Sequence, residues 1–163
     1  MNDLYKRLIF TILPIAVMAL IFYFSSQPYG EQDMRPSLSM YLPLDLLRPL
    51  LAPVSFTYHG EEVSLASHGI EGLVEFFIRK GAHISIFFLL MITAYGAFLV
   101  NTHWKKRTAA ISALAVTVLY ACLDEYHQSL TPDRTPYIGD VGLDSVGALI
   151  GLALIFAGNR RRK

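Results

Sequence analysis

Residues 120 to 130 read "YACLDEYHQSL", and the "DEYHQ" inside that stretch packs four groups capable of proton or ligand chemistry into five positions. On a helix, Asp124, His127 and Gln128 share a face at spacings of three and four, with Glu125 beside them. Closely placed carboxylates perturb one another and histidine titrates near neutrality, so Glu125 or Asp124 with His127 has the composition of a general base and acid. His83 is the fourth candidate for such a role, and nothing in the spacing selects one catalytic residue among the four. The run just before, from Thr108 to Leu123, is apolar enough for a lipid bilayer. An ionisable group near the middle of a bilayer costs about 2.5 to 3.5 kcal/mol even on lenient insertion scales, so this cluster needs partners or water.

Two further stripes carry charge of both signs. In "IEGLVEFFIRKGAHISIFFLL", Glu71, Glu75, Arg79 and His83 recur every four residues and line one face of a helix. Glu75 and Arg79 are a favourable neighbour pair, and Lys80 sits three residues before His83. Further on, Asp140, Asp144, Gly147 and Gly151 fall within about 60° on a helical wheel, acidic first and then smooth. Gly147 and Gly151 form a small-xxx-small pattern that lets two helices approach closely, and such an approach would press Asp144 against a neighbour and call for a partner. Two adjacent acids at the end of a helix are not explained by capping, because the dipole disfavours negative charge there. They are explained if bases such as Arg79 or Lys80 face them. In "SLTPDRTPYIG", Pro132 and Pro136 restrict the turn around Arg134, which is suited to bidentate binding of an anion or carboxylate.

The elements that must hold these side chains are membrane helices. Of the 163 residues, 53% are hydrophobic and 17% charged, more apolar and less charged than a soluble domain. The mean hydropathy is +0.42. Four apolar stretches approach the roughly 20 residues that cross a bilayer, at about 8–24, 78–100, 108–123 and 141–157. The first resembles a secretory signal, but Phe24 stands where cleavage after Ser26 would need a small residue, so it is read as retained. Pro14 within it is read as a kink. The lone Cys122 allows no intrachain disulfide and is read as a small buried apolar residue.

Lysine and arginine set the sidedness. With both termini cytoplasmic, nine basic residues lie inside (Lys6, Arg7, Lys105, Lys106, Arg107, Arg160, Arg161, Arg162, Lys163) against five outside. The expected fold is therefore all-α: one membrane domain over residues 1–163, a bundle of four transmembrane helices with one longer outer connection, Ser25 to Gly69. Within that connection "SMYLPLDLLRPLLAPVSF" is apolar but broken by Asp45, Arg48 and three prolines, so it is expected to lie along the outer interface or to cap the bundle. The net charge of +1 and short basic clusters give no nucleic-acid surface.

Together these residues resemble the VanZ-like family of bacterial membrane proteins. The resemblance rests on "RKGAH" at 79–83, on "DEYHQSLTPDRTPYIGDVGLDSVGALIG" at 124–151, and on "FYFSSQP" at 22–28. It departs after His83, where many members carry an acid and a tyrosine and this chain has Ile86 and Phe87. The resemblance implies a multi-pass protein of the bacterial plasma membrane, associated in some members with low-level glycopeptide resistance, teicoplanin more than vancomycin. Carried over residue by residue, it points to Arg79, Lys80, His83, Asp124, Glu125, His127, Gln128, Arg134, Asp140 and Asp144 as ligand-binding.

Three functions compete. A binding protein would use Arg79, Lys80 and Arg134 to hold a membrane lipid headgroup, a lipid-linked cell-wall intermediate or a glycopeptide. An enzyme would use the acids and histidines on a lipid-linked precursor, by acid–base chemistry or with a metal; with no His-x-x-x-His and no Cys cluster, neither a metal nor another cofactor is expected. A structural network would only tie helices together by ion pairs. A proton-coupled carrier is disfavoured by four spans without paired broken helices. A homodimer, supplied by the Gly147 and Gly151 face, would complete a pathway for such a carrier.

Overall fold

The computed structural model describes residues 2–160; the basic residues Arg161, Arg162 and Lys163 lie outside them. In chain order, helix α1 (Asp3–Ser25) continues through Pro14. A connection follows, holding α2 (Arg35–Tyr41), α3 (Arg48–Leu51) and a hairpin of β1 (Ser55–Tyr58) with β2 (Glu61–Ser64). Then come α4 (Leu65–Asn101), α5 (Lys106–Gln128) and α6 (Ile138–Arg160). Of the described residues 79% are helical, and α1, α4, α5 and α6 are each long and apolar enough to cross a membrane. The four stretches expected from sequence lie inside these four helices.

Burial confirms which solvent the helices are built for. Only 22% of the apolar window of α1 is enclosed by protein, and even for α5 the share is 39%. Leu4, Ile12, Ile15, Leu119 and Leu154 point outward. In water such a continuous apolar exterior would drive association, whereas against lipid tails it is neutral. Cys122, read from sequence as buried, is exposed on this exterior: an apolar position on a membrane helix satisfies itself in lipid and need not enter the core.

The chain forms two compact units, residues 1–28 with 83–163 and residues 29–82, and their boundary falls within α4. In the first, Val17 and Ile21 of α1 pack with Phe87 and Leu90 of α4, Ala121 of α5 and Val141 of α6. Phe87, one of the two positions where the sequence departs from the family pattern, is fully buried there as a packing residue. A second cluster joins Met91 and Ala94 to Ala110, Ala113, Ala148 and Ile155. Small residues dominate it, as expected where dispersion and close approach replace the hydrophobic effect. Gly147 lies against the backbone of Ile84 and Phe88, and Gly151 against Met91. The small-xxx-small face therefore serves packing within the chain, of α6 on α4.

The second unit has its own core of Leu38, Leu44, Leu51, Val63, Ile70 and Leu73. The sequence reading of this connection did not anticipate its hairpin. Ser55 pairs with Ser64 and Tyr58 with Glu61, and the two turn residues, His59 (φ 52°) and Gly60 (φ 79°), are both left-handed. That is the turn geometry whose twist matches antiparallel strands, and "TYHGEE" carries its signal in the glycine of a two-residue loop. Gly69 (φ 66°) interrupts α4 after its first turn, a conformation that only glycine adopts freely.

Candidate functional site

The side chains singled out by sequence collect in two places, one in each unit. In the first unit, three helices converge on a polar cluster. His83 comes from α4, Asp124 from α5 and Asp144 from α6. Asp144, 1% exposed, has Oδ1 3.1 Å from His83 Nδ1. Asp124, 4% exposed, accepts from Ser25 Oγ at 2.5 Å through Oδ1 and from Gln128 Nε2 at 2.8 Å through Oδ2. One donor atom from each of His83, Asp124 and Asp144 lies within 4.8 Å of the others. The His83 side chain is 27% exposed, so the cluster is not wholly enclosed by the protein.

The two adjacent acids of "DEYHQ" thus diverge. Asp124 turns to neutral donors on α1 and on its own helix, where the sequence reading expected a base. Glu125 turns the other way and accepts the backbone N–H of Tyr137, just before α6. A carboxylate at the start of a helix meets unpaired N–H groups and the favourable end of the dipole, so Glu125 anchors α6. Asp140, half-buried in the first turn of α6, sits at the same favourable end. His127 stacks on Phe22 of α1 with ring centroids 4.2 Å apart and planes 4° from parallel. Its Nδ1 is buried and has no hydrogen-bond partner among the described residues, and the same holds for the hydroxyl of Thr117.

Arg134 donates to the carbonyls of Gln27 and Phe24, at 3.2 Å each. A cation on the last carbonyls of a helix is both a cap and a favourable dipole contact, so the loop between α5 and α6 is tied to the end of α1. Thr131 strengthens the tie through its hydroxyl and the Ser25 carbonyl, at 3.0 Å. Ser25 and Thr131 were not singled out by sequence. Ser25 was legible only as part of "FYFSSQP", since a serine at a helix end usually caps its own backbone.

In the second unit the cations of "RKGAH" are mounted on acids and rings. Arg79 binds Glu75 four residues back at 2.8 Å, as the spacing predicts, and reaches Gln32 through its side-chain oxygen at 3.3 Å and its carbonyl at 2.5 Å. Its guanidinium lies 4.3 Å from the centre of the Tyr29 ring. Glu75 is only 1% exposed, and its other oxygen, Oε2, is 3.6 Å from Arg35 Nε. That separation is beyond hydrogen-bond reach, so Oε2 has a Coulombic neighbour but no hydrogen bond. Arg35 in turn grips Asp33 at 2.7 Å. Lys80 Nζ stands 4.5 Å from the centre of the Tyr58 ring and 5.6 Å from that of Phe76. A shallow apolar groove of about 300 Å³ runs along the same unit, lined by Leu47, Leu50, Leu51, Val74, Phe77 and Ile78.

Four long apolar helices with outward-facing apolar side chains, from several of which buried polar side chains are drawn together, are those of a multi-pass membrane protein. The chain belongs to the VanZ/LLP1 family, whose model matches residues 10–159 and so runs through both units. No curated protein and no solved structure matches the chain.

Proposed function

We propose that this protein resides in the bacterial plasma membrane with both termini cytoplasmic, binds an anionic lipid-linked intermediate of the cell envelope, and thereby contributes to glycopeptide resistance of the teicoplanin type. One observation carries the reading: within residues 29–82, cations and an apolar groove occur on the same short stretch of α4. Val74, Phe77 and Ile78 line the groove, while Lys80 follows Phe77 by three residues and so lies beside it on the helix. An amphiphile with a phosphate head and a hydrocarbon tail has this combination of demands. Lys80 over Tyr58 and Arg79 over Tyr29 are cations held in place by ring faces, which lowers the entropy lost on gripping a phosphate. The inside-positive count of lysine and arginine supports the sidedness, and membership of the VanZ/LLP1 family supports the link to resistance.

The test uses the purified full chain in nanodiscs, titrated with a polyprenyl phosphate, with the matching polyprenol, and with teicoplanin. A charge-assisted contact contributes about 1.5 to 3 kcal/mol, so Lys80→Ala should weaken polyprenyl phosphate binding about tenfold or more, and the uncharged polyprenol should bind no better to wild type than to the variant. Equal binding of the phosphate by wild type and Lys80→Ala refutes the reading. Preferential capture of teicoplanin would transfer the site to the drug itself. In a bacterial host, expression of wild type and not of Lys80→Ala should raise the teicoplanin concentration needed to stop growth.

A further inference from the structure

We propose that His83, Asp124 and Asp144 bind one divalent transition-metal cation, of the Mn²⁺, Fe²⁺ or Zn²⁺ class, where α4, α5 and α6 converge. Four independent features of the first unit lead there. The first is geometry. Two ligands about 2.1 Å from a metal and at right angles to each other lie about 3.0 Å apart. His83 Nδ1 and Asp144 Oδ1 are 3.1 Å apart, and the whole three-atom set lies within 4.8 Å, so a side-chain shift of about 0.6 Å for a trans arrangement, or up to about 1.8 Å for a right-angle one, closes it into one coordination sphere.

The second feature is charge. Asp124 is almost completely buried, and both partners of its carboxylate, Ser25 and Gln128, are neutral. Asp144 is more deeply buried still and meets a histidine. Two carboxylates in a setting of low dielectric call for two positive charges, and a dication beside a neutral imidazole supplies both. The third is orientation. Asp124 receives a hydrogen bond on each oxygen, from two different helices, which holds the carboxylate in one pose while leaving lone pairs free for a metal.

The fourth lies outside the ligand set. Thr117 is seven residues before Asp124 and His127 three after it, so the three occupy neighbouring positions on one side of α5. The hydroxyl of Thr117 and Nδ1 of His127 are buried and unpartnered. Buried polar atoms without partners are rare; Thr117 lies two turns, about 10 Å, from Asp124, but the His127 atom, within one turn of it, is accounted for if the ion brings its own water molecules to that face. Three protein ligands leave coordination positions open for such water, and at His83 the cluster is not wholly enclosed by the protein. Mixed carboxylate and imidazole ligation favours this class of metal over Ca²⁺ and Mg²⁺, whose preferred partners are oxygens alone.

The site does not depend on lipid binding and is tested without lipid-linked ligand. Full-length protein, stripped with chelator in detergent, is titrated with Mn²⁺ and followed by electron paramagnetic resonance. One saturable Mn²⁺ per chain is expected, with ¹⁴N coupling from the His83 imidazole in the pulsed spectrum. Asp124→Asn and His83→Ala should each weaken binding at least a hundredfold, Ser25→Ala about tenfold through lost orientation, and Asp133→Asn in the following loop not at all. Saturable binding without ¹⁴N coupling, or binding that survives Asp124→Asn, means an adventitious ion and overturns the proposal. So does a wild type that takes up neither Mn²⁺ nor Zn²⁺, in which case a proton neutralises the pair. The ¹⁴N coupling is read on wild type, so the proposal stays testable even if a variant misfolds.

Discussion

Gly147 packs directly on Ile84: a Cβ built on the glycine would collide with the Ile84 carbonyl oxygen and crowd the amide of Phe88. The obstacle is backbone, which cannot rotate away as a side chain would. Because α6 uses this face on α4, a second copy of the chain would need another surface to dimerise.

Gly147→Ala should therefore destabilise the protein by about 2 to 3 kcal/mol, the upper part of the range for overpacking. Gly142, on the same helix with nothing within 4 Å of its built Cβ, is the control. Gly142→Ala should be neutral or slightly stabilising, because alanine is the better helix former. Thermal unfolding in detergent, followed by circular dichroism, ranks the two, and equal melting temperatures would contradict the packing described.

Ser25 links the end of α1 to Asp124 across 99 positions of sequence. Removing its hydroxyl leaves a buried carboxylate oxygen without its donor. Ser25→Ala should cost about 1.5 to 3 kcal/mol, while Ser26→Ala, whose exposed hydroxyl bonds only its chain neighbours, the Tyr23 carbonyl and the Gln27 amide, should cost under about 1 kcal/mol. Chemical denaturation of both variants in mixed micelles gives the comparison.

Glu75 and Arg79 form a nearly buried pair. Arg79→Met takes away the hydrogen-bonded partner of the Glu75 carboxylate and leaves it only the more distant, exposed Arg35, so it should destabilise by about 2 to 4 kcal/mol. The double variant Arg79→Met with Glu75→Leu should recover most of that loss, because an uncompensated charge is worse than an apolar replacement of similar size. A double-mutant cycle on melting free energies measures the coupling, and additive effects would refute it.

Asp33 lies outside the membrane-spanning helices. The Arg35 guanidinium, helped by the Arg35 backbone N–H, holds its carboxyl at about 2, down from an ordinary 3.8. A carboxyl depressed in the folded state stabilises the fold above its unfolded value, and that contribution disappears as pH falls through the folded value. Stability should thus decline from about pH 4 towards pH 2, and Asp33→Asn should flatten this part of the profile. The ¹³C resonance of the Asp33 carboxyl carbon gives its midpoint directly, and a midpoint near 4 would contradict the pairing.

Much of the molecule was readable in advance because a bilayer imposes long, simple signals. Twenty apolar residues register whatever they pack against, so all four spanning helices were legible, and "RKGAH" with "DEYHQ" carried the family resemblance that the VanZ/LLP1 match bears out. Periodicity also placed Glu75 with Arg79, since that pair lies within one helix. The hairpin at residues 55–64 carried a local signal in His59 and Gly60, but in a chain dominated by helical patterns it was not picked out.

Sequence by itself determined which residues share a helix face, because that depends only on 3.6 residues per turn. It could not determine which faces meet, because that depends on how helices distant along the chain rotate against one another. Tertiary structure decided that Asp124 turns to Ser25 and Gln128, that Glu125 next to it turns to the start of α6, and that Arg134 caps α1. Adjacent residues on a helix point about 100° apart, so two neighbouring acids can serve different helices, and only the packed arrangement of those helices assigns each its partner.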